Sequence, residues 1–329
     1  MSDNTVLLSI CCFAYNHEKY IRETLDGFLK QEVPFKYEVI IHDDASTDST
    51  QKIIREYECK YPEVIKPIYQ KQNQYSQGVN IFCTHISPCI KGRYIALCEG
   101  DDYWLDANKL KKQIDFMEVH REYIATTHQC IIVNDDGCPT ARYSPTFLYV
   151  SKQARVFTYN DAEKFLLPGQ TATLVFRRRA IVDYNLSNWA PLLDFSLVAF
   201  LSMQGDIYVF PDIMSAYRSM ATNGSSYSVR YKRKSDTGSY ILREEIERKA
   251  GLVFGRPFLY KSKRTRYVVD AIVNYLCTRS HTELEFIYKI YKKRNILLLI
   301  LIYLPHIIGR IVQKIIFKIK NDAFLSSLE

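Results

Sequence analysis

The sequence lacks a paired cysteine pattern and an apolar run long enough to span a membrane. Its nine cysteines include no Cys-x-x-Cys pair, and the apolar run at residues 296–304 is far shorter than the roughly 20 residues that span a membrane. An odd cysteine count without a paired framework predicts free thiols in a reducing cytosol. The first four residues lack the basic and apolar regions of a signal peptide, so no export is expected.

Several common catalytic signatures are missing as well. The chain has no Gly-x-Gly-x-x-Gly or Walker-type loop that would hold phosphates on backbone N–H groups, and no Gly-x-Ser-x-Gly elbow. Its seven histidines show no spacing typical of metal ligands. These absences argue against a dehydrogenase, an ATPase and a serine hydrolase. Any bound phosphate would have to be held by a metal and side chains.

Charge is plentiful but unevenly spread. The chain has 44 basic and 36 acidic residues, a net charge of +8, yet residues 221–329 alone hold 21 basic and 9 acidic residues. A body of net charge −4 therefore carries a tail of net charge +12. Such a tail predicts an anionic partner, either a nucleic acid or a membrane surface.

Segments with the patterns of strands and helices alternate along the first 220 residues. The predicted strands lie at residues 6–14, 37–42, 65–69, 94–98, 173–176 and 207–210, and the predicted helices at 20–29, 49–61, 109–119 and 194–203. An Asp-Gly pair at residues 136–137 indicates a tight turn between two further strands. This alternation predicts an α/β fold with a parallel sheet and right-handed crossovers.

Three acidic clusters lie at the ends of these elements. Asp43-Asp44 and Glu99-Gly100-Asp101-Asp102 each follow a predicted strand, and Asp194 opens a predicted helix. Because the carboxyl ends of parallel strands line one crevice, the first two clusters are expected close together. Carboxylates gathered in a cleft repel each other unless a cation neutralises them, and hard oxygen ligands favour Mg²⁺ or Mn²⁺.

Two of these clusters also have a purely structural interpretation. Residues 43–48 are rich in Asp, Ser and Thr, which form turns and cap helices, and Asp194 alone is typical of a helix cap. The four residues 99–102 serve no packing purpose after a buried strand. They are therefore the cluster that most favours a function.

Taken in order, the motifs resemble those of family-2 glycosyltransferases of the GT-A fold. The resemblance rests on residues 6–16, 38–48 and 100–104 as a set. Residues 73–78 together with 98–104 resemble more specifically the bacterial branch that builds capsule, O-antigen and other surface polysaccharides. The resemblance covers about residues 5–220 and does not include the tail.

The resemblance implies a donor site for a nucleotide sugar. Phe13 and Tyr15, in the loop after the first strand, match the nucleobase site, where Tyr15 would stack on uracil. Asp44 matches the carboxylate that accepts a hydrogen bond from the imide N–H of the base, which favours uridine or thymidine. Asp101 would bind the ribose or the sugar, and Asp102 would bind the Mn²⁺ or Mg²⁺ that bridges the diphosphate.

The resemblance also implies residues for the transfer itself. Asp194 matches the general base, although Asp-Phe-Ser-Leu stands here where Asp-Trp-Pro-Leu is more usual. Tyr217 and Arg218 match a Tyr-Arg pair at the end of the catalytic domain, where Arg218 would help the leaving diphosphate. Direct attack by the acceptor would invert the anomeric carbon. Phe13 stands where a threonine is frequent, so no hydrogen bond is expected from it.

The sequence thus predicts two regions. Residues 1–220 would form the catalytic domain, with nucleotide-sugar binding in about 1–120 and the acceptor side in about 121–220. Residues 221–329 would form a basic helical region. In it, apolar and basic residues alternate over about 290–320, which favours an amphipathic helix on an anionic membrane over a helical hairpin packed on the catalytic domain. Basic and aromatic residues at 227–267 have no RNA-binding signature, so no nucleic acid partner is expected.

The resulting hypothesis is an inverting, metal-dependent glycosyltransferase at the cytoplasmic face of the membrane. It would move a sugar, with UDP-sugars favoured, onto a lipid-linked or growing surface glycan. Two alternatives stay open: a sugar-nucleotide-binding protein without catalysis, and a peripheral membrane scaffold of a polysaccharide assembly complex. Self-association into an oligomer also stays open.

Overall fold

The structure is a computed structural model. It describes residues 5–140, residues 153–219 except 165, 185, 187, 188 and 190–193, residues 237–258, and the single positions 269, 272, 304, 305, 307–309 and 312.

The strands and helices that the sequence patterns predict are present, and the structure adds short elements that no pattern predicted. The described strands are β1 (Leu8–Ala14), β2 (Tyr37–Asp43), β3 (Ile65–Tyr69), β4 (Tyr94–Glu99), β5 (Tyr103–Trp104), β6 (Tyr123–Val133), β7 (Arg155–Phe157), β8 (Val175–Arg177) and β9 (Asp206–Arg218). The described helices are α1 (Ile21–Leu29), α2 (Thr50–Lys60), α3 (Lys109–Val119), α4 (Tyr159–Glu163), α5 (Arg179–Asp183), α6 (Asp194–Ser202) and α7 (Thr237–Phe254). β9 is much longer than the predicted strand at 207–210.

In the described part of the chain the strands form one mixed sheet in the order β3-β2-β1-β4-β8-β6-β9-β5, and β7 also pairs with β9. The ladders among β1 to β4 and the ladder between β6 and β9 are parallel. The short strand β8 runs antiparallel to both its neighbours, and β5 and β7 run antiparallel to β9. The predicted α/β fold is confirmed, and its longest ladders are parallel.

Side chains of β1 alternate between two cores, one on each face of the sheet. Leu8, Ile10 and Cys12 pack with residues of α1, α2 and α3, whereas Cys11 packs with residues of α6 and α7. Eight consecutive residues of α6 after Asp194 are buried, so this helix is apolar on every side. Burial of the helix leaves only its first residue, Asp194, exposed.

The resemblance places Phe13 in the loop after the first strand, and this is wrong, whereas the apolar run at residues 6–14 correctly includes it in the strand. β1 continues through Ala14, and within it Phe13 pairs with His42 of β2 and with Glu99 of β4. Pairing on both sides keeps the backbone extended one residue beyond Phe13. The loop therefore begins at Tyr15.

Most of the predicted basic tail, including nearly all of the segment 290–320, lies outside the described residues. In the described stretch 237–258, α7 packs through Ile246 and Ala250 into the core that holds α6. The described positions between 304 and 312 are helical. No helix in the described ranges is both long and apolar enough to cross a membrane.

Candidate active site

The loops after β1 and β2 hold each other at the carboxyl edge of the sheet. Asn16 and Ala45 adopt left-handed backbone conformations, with φ of 55° and 61°, which cost energy for residues with a side chain. The N–H of Thr47 donates to Asn16 Oδ1 at 2.8 Å, and the N–H of Asn16 donates to Ser46 Oγ at 2.9 Å. These reciprocal bonds offset the strain and fix the residues that flank the cleft.

The two aspartates that end β2 have different partners. Asp43 accepts from the N–H of Ser46 at 3.1 Å, which is the turn contact that the structural interpretation predicts. Asp44 accepts from the N–H of Gln74 at 2.7 Å and from the N–H of Tyr75 at 3.0 Å, one on each carboxylate oxygen. Asp44 therefore fastens the segment after β3 to the end of β2.

The acidic motif after β4 lies tightly against β1 and α1. The N–H of Gly100 donates to the carbonyl of Phe13 at 2.8 Å, and the single O–H of Thr24 is shared between the carbonyls of Asp102, at 2.7 Å from Oγ1, and of Gly100, at 3.0 Å. A Cβ at position 100 would stand 2.7 Å from His17 Nδ1 and 3.2 Å from the Phe13 carbonyl oxygen. Glycine is therefore required for this close approach.

Both aspartates of this motif are buried, and each has a different environment. Asp102 Oδ1 accepts from the backbone N–H of Arg218 at 2.8 Å. Asp101 Oδ1 is a buried atom with no hydrogen-bond partner, while Asp101 Oδ2 lies 4.0 Å from His17 Nε2. Asp101 thus keeps an acceptor atom that the described residues do not satisfy.

Arg218 lies behind the motif and is only 3% exposed. Its Nε donates to the carbonyl of Asp101 at 3.0 Å, and its Nη1 donates to the carbonyls of Asn134 and Asp135 at 3.1 and 3.0 Å. Its Nη2 lies 2.7 Å from Glu23 Oε2 in an ion pair. These contacts use four of the five N–H groups of a guanidinium. Arg218 therefore acts first as a clamp between the motif, α1 and the ends of β6 and β9.

Asp194 and Glu99 line the open side of the cleft, and solvent reaches both. Asp194 Oδ1 accepts from Thr171 Oγ1 at 2.6 Å. Although both residues are exposed, protein atoms close to the Asp194 carboxyl displace water and raise its pKa, and this hydrogen bond opposes the rise. Loss of water around the Glu99 carboxyl raises its pKa well above the usual range, and the carboxylates of Asp101 and Asp194 raise that pKa further.

The same mutual effect extends to Asp102. Burial raises the pKa of Asp102 strongly, and the negative charges of Asp101, Glu99 and Asp194 raise it further. Four carboxyl groups thus share one cleft. Asp44 directly follows β2, and β1 separates β2 from β4, so at ordinary strand spacing Asp44 stands about 10 Å away along the sheet edge. The structure brings the predicted residues to one edge but in two groups.

Some residues of this site carry no signal in the sequence that assigns them a role. Thr171 contacts Asp194 across 23 positions, and Glu23 contacts Arg218 across 195 positions. These residues become partners only when the chain folds, so the sequence around each of them does not indicate the contact. Glu99 belonged to the predicted motif without a role of its own, and only its position on the open side of the cleft distinguishes it from Asp101.

The donor set fits a hard cation held partly by a ligand. The residues that the structure describes contain no group of three His, Cys, Asp or Glu side chains placed to hold a metal. Asp102 and the unsatisfied Oδ1 of Asp101 offer carboxylate oxygens. Mg²⁺ is usually bound by one or two carboxylates plus phosphate oxygens of a substrate, and these residues fit that pattern.

Comparison with known proteins agrees with this geometry. Residues 9–184, more than half of the chain, match the model of a family described as glycosyl transferase family 2. The chain belongs to this family and is a glycosyltransferase, as the resemblance of its motifs predicts.

Two curated relatives cover most of the chain. An uncharacterized protein of Mycobacterium tuberculosis is 34% identical over 75% of this chain and 69% of the relative. A Bacillus subtilis protein that bears the name teichuronic acid biosynthesis glycosyltransferase TuaG is 28% identical over 74% of this chain and 89% of the relative.

Solved structures share the fold at low sequence identity. TarS residues 1–349 of S. aureus, in complex with UDP-GlcNAc, align with a TM-score of 0.56 and 19% identity over 83% of this chain and 74% of that chain. The mannosyltransferase PcManGT of Pyrobaculum calidifontis, in complex with GDP-Man and Mn²⁺, aligns with a TM-score of 0.52 and 15% identity over 98% of this chain and 87% of that chain. The fold is that of GT-A glycosyltransferases.

Replacing Arg218 by lysine is expected to lower the free energy of unfolding by about 2 to 4 kcal/mol, because one ammonium cannot serve three carbonyls and a carboxylate at once. Arg22→Lys is the matched control, since Arg22 pairs with Glu56 on the exposed surface and should cost less than about 0.5 kcal/mol. Urea unfolding measures both. Equal, small losses would contradict the clamp role of Arg218.

Proposed function

We propose that the protein transfers a sugar with inversion from a nucleoside-diphosphate sugar, with UDP-sugars favoured, onto a lipid-linked or growing surface glycan. The observation that carries this proposal is the division of one cleft between buried carboxylates, Asp101 and Asp102, and an exposed carboxylate, Asp194, held by Thr171. The names of TuaG and of TarS with UDP-GlcNAc support the acceptor and donor classes.

The donor would lie along the edge from β2 to β4. Tyr15 and Asp44 would hold the nucleobase, with Phe13 beneath them in β1, and Asp101 would hold a hydroxyl of the ribose or of the sugar. Asp102 would hold a Mn²⁺ or Mg²⁺ ion, which when bound supplies positive charge for the departing diphosphate. The one N–H of Arg218 left over from its clamp contacts is the group that would help this diphosphate.

Asp194 would act as the general base on the acceptor side. Its ionised carboxylate takes the proton from an acceptor hydroxyl, whose oxygen forms the bond to the anomeric carbon while the bond to the diphosphate oxygen breaks. The hydrogen bond from Thr171 fixes one carboxylate oxygen and leaves the other for the acceptor. Attack on the face opposite the leaving group inverts the anomeric carbon.

Asp194→Asn is expected to reduce transfer at least 100-fold while UDP binding in Mn²⁺ changes little, because the amide cannot take a proton. Asp102→Ala is expected to abolish the metal-dependent part of UDP binding. Transfer is measured with a panel of UDP-, dTDP- and GDP-sugars, and binding by calorimetry with and without Mn²⁺.

The outcomes of this pair separate the alternatives. Unchanged transfer by Asp194→Asn would remove Asp194 as the base. UDP binding without turnover of any donor by the unmodified protein would favour a sugar-nucleotide-binding protein. Absence of binding to every donor of the panel would contradict the proposed function as a whole.

Thr171→Val is expected to shift the acid limb of kcat/KM to higher pH. The Thr171 hydroxyl stabilises the ionised form of Asp194, so its loss raises the pKa of Asp194 and a higher pH is needed to keep the base ionised. Thr171→Ser keeps the hydroxyl and serves as the control. A pH–rate profile of the three proteins measures the limb, and coincident profiles would argue against Asp194 as the titrating base.

The tail contributes one observation on membrane association. Leu304, Ile308 and Val312 recur at every fourth position, are helical where described, and are 43%, 54% and 47% exposed. Ile307, by contrast, is 5% exposed. An exposed apolar row, in a segment whose sequence also contains basic residues, supports an amphipathic helix at an anionic membrane surface. This association would place the active site at the cytoplasmic face of the membrane.

Changing Leu304, Ile308 and Val312 together to glutamine is expected to reduce flotation with anionic vesicles, because three apolar side chains are lost from the face that would enter the lipid. Changing Val119, Val182 and Leu252 together to glutamine, three exposed apolar positions outside this segment, controls for the loss of apolar surface in general. Unchanged flotation of the triple variant would favour the helical hairpin over the membrane helix.

A further inference from the structure

The turn after β3 is fastened to the end of the neighbouring strand β2. Both carboxylate oxygens of Asp44 accept backbone N–H groups of this turn, from Gln74 at 2.7 Å and from Tyr75 at 3.0 Å. Asn73 Nδ2 lies 3.3 Å from the Asp44 carbonyl oxygen, to which it donates. Asp44 is buried, so these bonds are shielded from water. The backbone of Tyr75 is thereby fixed beside the carboxylate expected to read the base.

The turn is also braced from within. The N–H of Ser76 donates to Asn73 Oδ1 at 2.7 Å, and the N–H of Gly78 donates to the carbonyl of Tyr75 at 3.0 Å. Gly78 has a φ of +74°, the left-handed conformation that glycine adopts without strain. The turn therefore has its shape before any ligand binds. The Tyr75 side chain, however, is 45% exposed.

Strand order sets two tyrosines on either side of Asp44. The sheet runs β3-β2-β1 at this end, so the turn after β3 carries Tyr75 on one side of Asp44 and the loop after β1 carries Tyr15 on the other. Two strand spacings separate the outer strands by about 10 Å. A planar base between two aromatic rings needs about 7 Å between the ring planes, at ordinary van der Waals contact. Loops that follow strands on either side of β2 are therefore far enough apart to leave room for one base between them.

We propose that Tyr75 determines nucleoside affinity by covering the face of the donor's base that Tyr15 leaves open. This inference rests on the proposed function and names a residue of its donor site. An aromatic ring stacks on any base, but it stacks only where a base is present. Tyr75 would therefore strengthen binding through the nucleobase and not through the diphosphate.

Asp44 has the capacity for a double role in this arrangement. Each carboxylate oxygen has two lone pairs and uses one for a backbone N–H of the turn. A second lone pair is left on each oxygen for an imide N–H. Replacing Asp44 would therefore disturb the turn and the base contact together, and variants of Tyr75 are the ones that isolate the stacking contact.

The test compares two ligands that differ only in the base: UDP and ribose 5-diphosphate, each with Mn²⁺, titrated by calorimetry into the full chain. Tyr75→Ala is expected to weaken UDP binding about 10-fold, in the range typical of loss of one stacking ring, and to leave ribose 5-diphosphate binding unchanged. Tyr75→Phe keeps the ring and should bind UDP like the unmodified protein. Tyr184→Ala is the matched control, since Tyr184 is a 38% exposed tyrosine at the end of α5.

Each outcome decides something different. If Tyr75→Ala binds UDP as tightly as the unmodified protein, the inference is overturned while the proposed function stands. If both ligands weaken equally, Tyr75 supports the turn or the diphosphate and not the base, which also overturns it. If the unmodified protein itself does not bind UDP, the proposed function fails first. Unchanged thermal unfolding of Tyr75→Ala confirms that the comparison is made between folded proteins.

Discussion

The cleft depends on keeping four carboxyl groups together where protein atoms displace much of the water. Loss of water around the carboxyl groups raises the pKa values of Glu99, Asp102 and Asp194, and repulsion by neighbouring carboxylates raises those of Glu99 and Asp102 further. The site therefore favours protons or a cation in the absence of other partners. The rest of the architecture holds these groups in place. β4 and its close contact with β1 position the acidic motif, and the buried helix α6 presents Asp194 opposite to it.

Protein groups stabilise the acidic motif on its buried side, and the side of the cleft that is open to solvent stays negative. Asp102 receives a backbone N–H, and the guanidinium of Arg218 binds carbonyls and Glu23 instead of the carboxylates of the motif. Opposite charge in the cleft is therefore left for a ligand to bring. In the proposed function the sheet edge is divided, with the loops after β1, β2 and β3 on the nucleoside side and β4 with α6 on the side of the reacting groups.

The sequence was sufficient wherever a local pattern determines the structure. Apolar runs predicted β1 to β4 to within two residues, and the Glu99–Asp102 motif predicted an acidic cleft at the carboxyl edge of the sheet. The sequence did not predict contacts between residues that are far apart along the chain. Nothing near Asp44 indicates that it binds the turn at Gln74 and Tyr75, and nothing near Arg218 indicates Glu23. The apolar run at residues 6–14 included Phe13 in the first strand, and only the resemblance placed it in the loop, because a motif does not show that pairing with β2 and β4 extends β1 through Ala14.

The bond from position 218 to Asp102 is made by the main chain, and this has an evolutionary consequence. A backbone N–H is supplied by every amino acid except proline, so the anchor on Asp102 survives almost any change of side chain at this position. The hydrogen bonds of the Arg218 guanidinium, by contrast, are lost when this side chain changes. Relatives of this enzyme are therefore free to vary the bracing behind the motif while the strand end that holds Asp102 stays intact, and proline is the residue expected to be excluded there.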